Sequence, residues 1–292
     1  MTSRAVAHKR RGGRGLGRHA VLIILAVYFV VPFWWLIVAS TKDNSGLFSG
    51  SGGPLWFDSH FKLFDNIAGL FSYDGGIYWR WLFNSFAYAF VGGAGATLLS
   101  ALAGYGFAKF AFRGRGAYLA AVLGSVMVPT TALAVPLFVL FSGLSLTNTP
   151  WAIILPSMLS PFGTYLMYVF AKESVADDIL DAARVDGAGE ARLFFRLALP
   201  LMRPGLVTVF LLSIVHTWNN YFLPLVLLSD VRLMPVTVGL GRWQALAAGS
   251  NGVIQPWSFI ITGALVSVVP LILAFLFLQR YWQGGLSLGS LK

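Results

Sequence analysis

Long apolar runs alternate with short polar stretches along the whole chain. Six runs, at residues 20–39, 80–108, 116–140, 150–171, 204–228 and 256–279, are each about 20 residues or more, enough for a helix to cross roughly 30 Å of hydrocarbon. The pattern predicts an all-α integral membrane protein with six transmembrane helices. The first run also invites comparison with a cleaved signal peptide. Such a peptide has an apolar region of about 7–15 residues, and this one is longer, so an uncleaved first span is expected. In the second run Gly92, Ala96, Ser100 and Gly104 recur every four residues. Small residues at that spacing let another helix backbone approach closely, although a glycine-rich chain also produces such stripes by composition. Pro129 and Pro136 fall inside the third run, and Pro156 and Pro161 inside the fourth. Asn148 or Thr149 before Pro150 has the form of a helix cap followed by proline at the first helical position.

One polar island interrupts the second half, from Glu173 to Arg203. It holds six of the chain's eleven acidic residues: Glu173, Asp177, Asp178, Asp181, Asp186 and Glu190. Arg184, Arg192, Arg196 and Arg203 lie within it, and Lys172 just precedes it. Apolar positions keep helical spacing: Val175, Ile179, Ala182 and Ala183, then Leu193, Phe194 and Leu197. Ser174 stands where an N-cap is expected, three residues before Asp177. Gly187 and Gly189 mark a turn. The pattern predicts two short helices joined by a glycine hinge, with charged outer edges and an apolar underside that suit a groove on a soluble partner.

Composition agrees with a chain living in lipid: 57% of residues are hydrophobic and 11% charged, where a soluble domain carries roughly 25% charged residues. With no cysteine, disulfides, thiol chemistry and cysteine metal sites are excluded. The net charge of +10 raises nucleic-acid binding as a possibility, but its distribution gives another meaning. Residues 1–19, 109–115, 172–203 and 280–292 together hold 16 Lys and Arg, and the opposite loops and their edges hold 5. The positive-inside rule then places both termini and the polar island in the cytoplasm. The basic tail 1–19 suits anionic lipid headgroups, and no nucleic-acid partner is expected. The expected organisation is a basic tail 1–19, a six-span domain 20–279 and a C-terminal tail 280–292.

The cores of the six spans carry no Asp, Glu, Lys or Arg, whereas ion-coupled carriers place ionisable groups there. His216 is the one titratable candidate. No P-loop pattern is present, so ATP-driven work requires a separate ATPase. No protease or esterase motif appears either. No catalytic residue, cofactor or metal is expected. Towards the end of the fifth run lie Trp218, Asn219, Asn220 and Tyr221. Amides in hydrocarbon cost several kcal/mol unless partnered. These groups suit either a neutral polyol such as a sugar, with amides for hydroxyls and rings for the apolar face, or hydrogen bonding between helices. Pro224 is expected to open the helix nearby.

The island carries a resemblance. Asp181-Ala182-Ala183, three residues, Gly187, nine residues, then Leu197-Ala198-Leu199-Pro200 resembles the EAA loop of ABC-importer permeases, with Asp181 for Glu, Leu197 for Ile and Ala176 where a proline is common. Other stretches resemble the carbohydrate branch of that family: Asn84-Ser85-Phe86, Ala103 to Ala108, Phe112 to Arg115, Val128-Pro129, Asp186-Gly187-Ala188, Trp218-Asn219-Asn220, Pro224-Leu225-Val226 and Gly284 to Gly289. The similarity is greatest to the smaller permease of maltose-type importers. It implies a type I importer permease fold whose island is the coupling helix docked on an ATP-binding cassette ATPase dimer. It implies ATPase-coupling roles for Asp181, Ala182, Ala183, Arg184, Asp186, Gly187 and Arg192, with Asp181 meeting a basic residue there. It also implies a second, homologous permease, a solute-binding protein meeting the segment 229–255, a tail from Gly284 reaching the ATPase, and a sugar as cargo with Trp218, Asn219, Asn220 and Tyr221 on its path. An importer for another small solute shares the EAA loop. A stand-alone carrier and a membrane enzyme are the other classes to separate from it.

Overall fold

The computed structural model describes residues 13–49, 52–249 and 257–286. Among these residues every regular element is helical. Four helical segments are long and apolar enough to cross a membrane, or six when each of two sharply bent pairs is taken as one span.

Helix α1 (Gly13–Ser40) is apolar all round and almost wholly exposed within the chain, leaning on the last helix α15 (Trp257–Leu286). A polar segment containing α2 (Asn44–Ser49) follows, then α3 (Leu63–Ser72) and a 3₁₀ turn at Tyr73–Gly76. Helix α4 (Ile77–Lys109) is the centre of the fold. Its 33 residues make a rod of about 50 Å, packed against α7 (Trp151–Ser157), α8 (Pro161–Ser174) and α12 (Arg203–Trp218). The small-residue stripe is this packing face. Ala96 and Ser100 are fully covered, and a Cβ at Gly104 would lie 2.6 Å from the backbone of Met167 and Tyr168. Glycine there lets α4 and α8 touch backbone to backbone, which is how helices associate where lipid offers no hydrophobic drive.

Three of the expected spans are interrupted. The third divides into α5 (Arg115–Ser125) and α6 (Ala134–Gly143), with a 97° bend between Arg115–Ser125 and Thr130–Gly143. Pro129 adopts an extended ψ of 126° at the break, and its missing N–H ends the helical ladder. Pro136 falls in the first turn of α6, where no N–H is needed. In the fourth span, Ser160 caps α8 by accepting from the Gly163 amide at 3.1 Å, with Pro161 at the first helical position.

The fifth run is not one helix to 228. Helix α12 stops at Trp218, and α13 (Phe222–Leu227) begins a new direction. The break precedes Pro224, which sits inside α13. The expected cap before Pro150 is also different: Pro150 itself flanks α7, and Asn148, at φ +55°, uses its Oδ1 to accept from the amides of Ser229 and Asp230. The segment after α13, expected as a loop, folds back as α14 (Val236–Gly249), whose Trp243 is buried against Tyr78 and Trp81. Residues 250–255 of that expected loop, 1–12 of the first tail and 287–292 of the last lie outside the described residues.

Candidate functional site

The polar island folds as two helical pieces. Helix α8 continues through Ser174, so Ser174 closes one helix instead of capping the next, and Ala176 occupies the cap of α9 (Asp177–Val185) without a side-chain bond. Asp177 and Asp178 fill the first turn of α9, where carboxylates complement the helix dipole. At its other end the Ala188 amide donates to the Ala183 carbonyl at 2.9 Å, and the Gly187 amide to Arg184 at 3.0 Å. This is a Schellman closure with Gly187 at φ +82°, the left-handed position the turn requires. The chain then runs through α10 (Glu190–Arg192), a π-helical turn (Leu193–Ala198) and α11 (Leu199–Leu201), and bends by 80° into α12 at Met202.

Burial decides which face of α9 is the underside. Leu180 is fully covered and Ala183 half-buried, against Tyr105, Val175, Leu193 and Phe194. Ile179 and Ala182, expected on the same underside, are exposed, and Val185 is 88% exposed. These three make an apolar stripe facing away from the chain. Beside it lies an ion cluster. Arg184 donates from Nη1 to Asp181 Oδ1 at 2.7 Å and from Nε to Glu190 Oε1 at 2.9 Å. The two carboxylates raise the Arg184 guanidinium above its ordinary value, Glu190 more than Asp181. Asp181, expected to seek a base on another protein, is therefore already paired within the loop, although its side chain stays 69% exposed. Asp186 and Arg192 are exposed and stand outside this cluster. At the start of α9, Lys109 of α4 donates to Asp177 Oδ1 at 2.7 Å and to the Val175 carbonyl.

The other candidate group sits at the far end of α12, a helix of 16 residues and about 24 Å in length. Trp218 is buried. Asn219 donates from Nδ2 to the Val215 carbonyl of its own helix at 2.8 Å, and Asn220 Oδ1 accepts from the Leu223 amide at 3.3 Å, so the two amides finish one helix and start the next. Among the described residues, neither amide bonds to a side chain of another helix. Asn219, Tyr221 and His216 are exposed, and the Tyr221 ring lies against Gly241. Trp218 and the Asn219–Tyr221 edge thus face different ways.

Residues of α4 form a third group that sequence reasoning did not single out by role. Asn84 donates from Nδ2 to the carbonyls of Arg232 and Met234, at 2.8 and 3.0 Å. Trp81 Nε1 donates to Val231 O at 2.7 Å, Tyr88 Oη to Leu233 O at 2.9 Å, and Ser85 Oγ accepts from the Val236 amide at 2.8 Å. Four side chains from about two turns of α4 clamp the stretch before α14, which opens with a 3₁₀ turn at Val231–Leu233. The signal was available: a buried amide inside a span demands partners, and Asn84 is such an amide.

Comparison with known proteins agrees with this architecture. Residues 96–286 match the family model described as binding-protein-dependent transport system inner membrane component. The arabinooligosaccharides transport system permease protein AraQ of Halalkalibacterium halodurans is 33% identical over 268 residues, covering 92% of this chain and 93% of that one. The lactose transport system permease protein LacG of Rhizobium radiobacter is 32% identical over 279 residues, covering 94% and 95%. The crystal structure of a bacterial ABC transporter involved in import of the acidic polysaccharide alginate contains a chain that superposes with a TM-score of 0.80 at 20% identity, over 95% of this chain and all of that one. A multi-pass helical protein with this family match is a transporter component and not an enzyme; the chain belongs to the inner membrane permeases of binding-protein-dependent transport systems, whose work calls for an ATPase and a solute-binding protein.

Proposed function

We propose that the chain moves a sugar or oligosaccharide inward, as one of two homologous permeases on an ATP-binding cassette dimer, and that α9 and its flanks are the coupling loop. The observation that carries the coupling assignment is the exposed apolar stripe Ile179, Ala182 and Val185 beside the Asp181–Arg184–Glu190 cluster. A stripe of this kind is costly in water and suits a groove on a soluble subunit. The ion cluster holds α9 in shape, so Asp181 acts first on Arg184 and offers its remaining lone pairs outward. Ala182 permits close approach, Gly187 sets the turn, and Asp186 and Arg192 are exposed for charged contacts with the ATPase or lipid headgroups. The excess of basic residues in the same set of loops puts this loop and both termini in the cytoplasm. The span domain is taken as 20–279, with tails 1–19 and 280–292; α15 continues to Leu286 without a break.

Closure of the ATPase on ATP moves α9, the spans tilt, and the cavity opens outward to the docked binding protein; hydrolysis returns it. The cargo reading rests on the arabinooligosaccharide and lactose transport proteins that the chain resembles and on spans without Asp, Glu, Lys or Arg in their cores, which favour an uncharged solute. Asn219 and Tyr221, with exposed polar edges, are placed on its path, with Asn220 and Trp218 holding them. The test is purification of the chain from its native membrane with identification of every co-purifying protein, followed by uptake in proteoliposomes. An ATPase, a second permease and a binding protein are expected, and Gly187→Val is expected to abolish uptake while the complex still assembles. A chain that purifies alone, or uptake indifferent to Gly187→Val, overturns the proposal.

A further inference from the structure

Helix α4 is held at both of its ends by contacts of quite different kinds. At one end Lys109, its last residue, has a side chain only 6% exposed, carrying the ammonium group. That group reaches two places at once: the Val175 carbonyl, which has left the ladder of α8 because Val175 is extended at φ −110°, ψ 101°, and the carboxylate of Asp177 in the first turn of α9. A buried ammonium without partners is strongly unfavourable, so Lys109 fixes the position of α9 against α4. At the other end the same rod clamps Val231 to Val236 through Trp81, Asn84, Ser85 and Tyr88. Residues 84 and 109 are 25 positions apart in one helix, about 38 Å. No proline interrupts it, and α8 and α12 flank it.

We infer that Lys109 is a positioning residue that ties the coupling loop to α4, so that a displacement of α9 is delivered along α4 to the Val231–Val236 stretch at the opposite face. The inference rests on the coupling reading of α9 given above. It adds a route: Arg184 and Glu190 pass motion from α9 towards α10 and α12, whereas Lys109 passes it to α4. The cation is what matters, since Lys109 satisfies a main-chain oxygen and a carboxylate together, which an apolar side chain of the same length does not.

The natural absence of cysteine makes the test direct. Asp178→Cys and Arg232→Cys, both at exposed positions, carry spin labels in the chain purified with its ATPase and second permease. Two quantities are read: the mobility of the label at 178 without nucleotide, and the change in the 178–232 distance on trapping with ATP and vanadate. Lys109→Met is expected to raise the mobility at 178 and to remove the distance change, while ATP hydrolysis persists. Lys109→Arg, which keeps the cation, is expected to restore both. Asp177→Asn, at a carboxylate 77% exposed, is the companion variant if Lys109→Met fails to fold; it leaves the Val175 contact and is expected to weaken the response without abolishing it. An unchanged mobility at 178, or a full distance change in Lys109→Met, overturns the inference. Absence of an ATPase, or of any response before Lys109 is altered, counts against the coupling reading instead, and the nucleotide-free mobility then still decides the tie.

Discussion

The two ends of α4 solve the same problem with opposite chemistry. The Val231–Val236 stretch is held by neutral side chains bonded to main-chain atoms in a buried setting, with Asn84 5% and Trp81 0% exposed. The coupling loop is held by charged side chains: Lys109, itself covered, bonds to the exposed Asp177 and to the Val175 carbonyl, and Arg184, Asp181 and Glu190 bond to one another while all substantially exposed. A main-chain carbonyl that loses a buried donor is costly to leave unpaired, so the first arrangement is expensive to open. Exposed ion pairs exchange readily with water and salt and contribute little to global stability. One end is built to stay and the other to be handed from one set of contacts to another.

The comparison is broken most severely at Asn84. Asn84→Leu leaves the carbonyls of Arg232 and Met234 without their donor. At about 1–3 kcal/mol for each buried group left unpaired, a loss of roughly 3 kcal/mol is expected in detergent unfolding. A midpoint equal to the parent's shows that the stretch is held by something else. Gly187→Ala comes next, at about 1–2 kcal/mol, because an L residue is forced into the left-handed region; that loss is expected in hydrogen exchange of the Ala188 amide, not in α4. Trp81→Phe keeps one aromatic ring but loses the second ring at a fully buried site and the Nε1 donor, while the Val231 carbonyl keeps the Met234 amide, so about 1–2 kcal/mol is expected in the same unfolding experiment. Arg184→Gln sharpens the contrast: no measurable shift of the unfolding midpoint, but faster exchange at Ala188. The smallest effect is with pH. Lys109 holds the Asp177 carboxyl below its ordinary value of 3.8, chiefly by hydrogen bonding and then by charge. A lowered folded pKa stabilises above the unfolded value and is lost as pH falls through the folded one. The mobility of a label at 178 is thus expected to be flat from pH 8 to about 5, and to rise only below 3.8.

Much of this was legible in the sequence. Run lengths located α4 and the α7–α8 span to within three residues, and α1 and α15 to within seven at one end, because an apolar run of that length in a membrane has few alternatives to a helix. The four-residue stripe on α4 identified its packing face, and the spacing around Gly187 identified the turn. What was not legible depended on neighbours. Which side of α9 is covered is decided by Tyr105 and Phe194, far away in sequence, so Leu180 went in and Ile179 stayed out. The break after Trp218 was masked because Asn219 and Asn220 sit in an otherwise apolar run; only the structure shows them ending one helix and starting another. Helix α14 contains Arg242 and several glycines, which read as loop, and the packing of Trp243 on Trp81 overrides them. Lys109 counted towards topology as one charge among many, and nothing in its local sequence shows that its side chain is covered.

Gly187 has one more consequence. Among the described residues, no heavy atom beyond Gly187 and its two chain neighbours lies within 4 Å of where its Cβ would stand, so within the chain the position objects to handedness and not to size. An L-alanine built there is strained by its own backbone, while its enantiomer at the same φ of +82° is at ease. A chain assembled by ligation with D-alanine at 187 should therefore close the turn at least as firmly as the natural one, with less freedom to lose on folding. The glycine at this turn is the genetic code's substitute for a residue of opposite chirality.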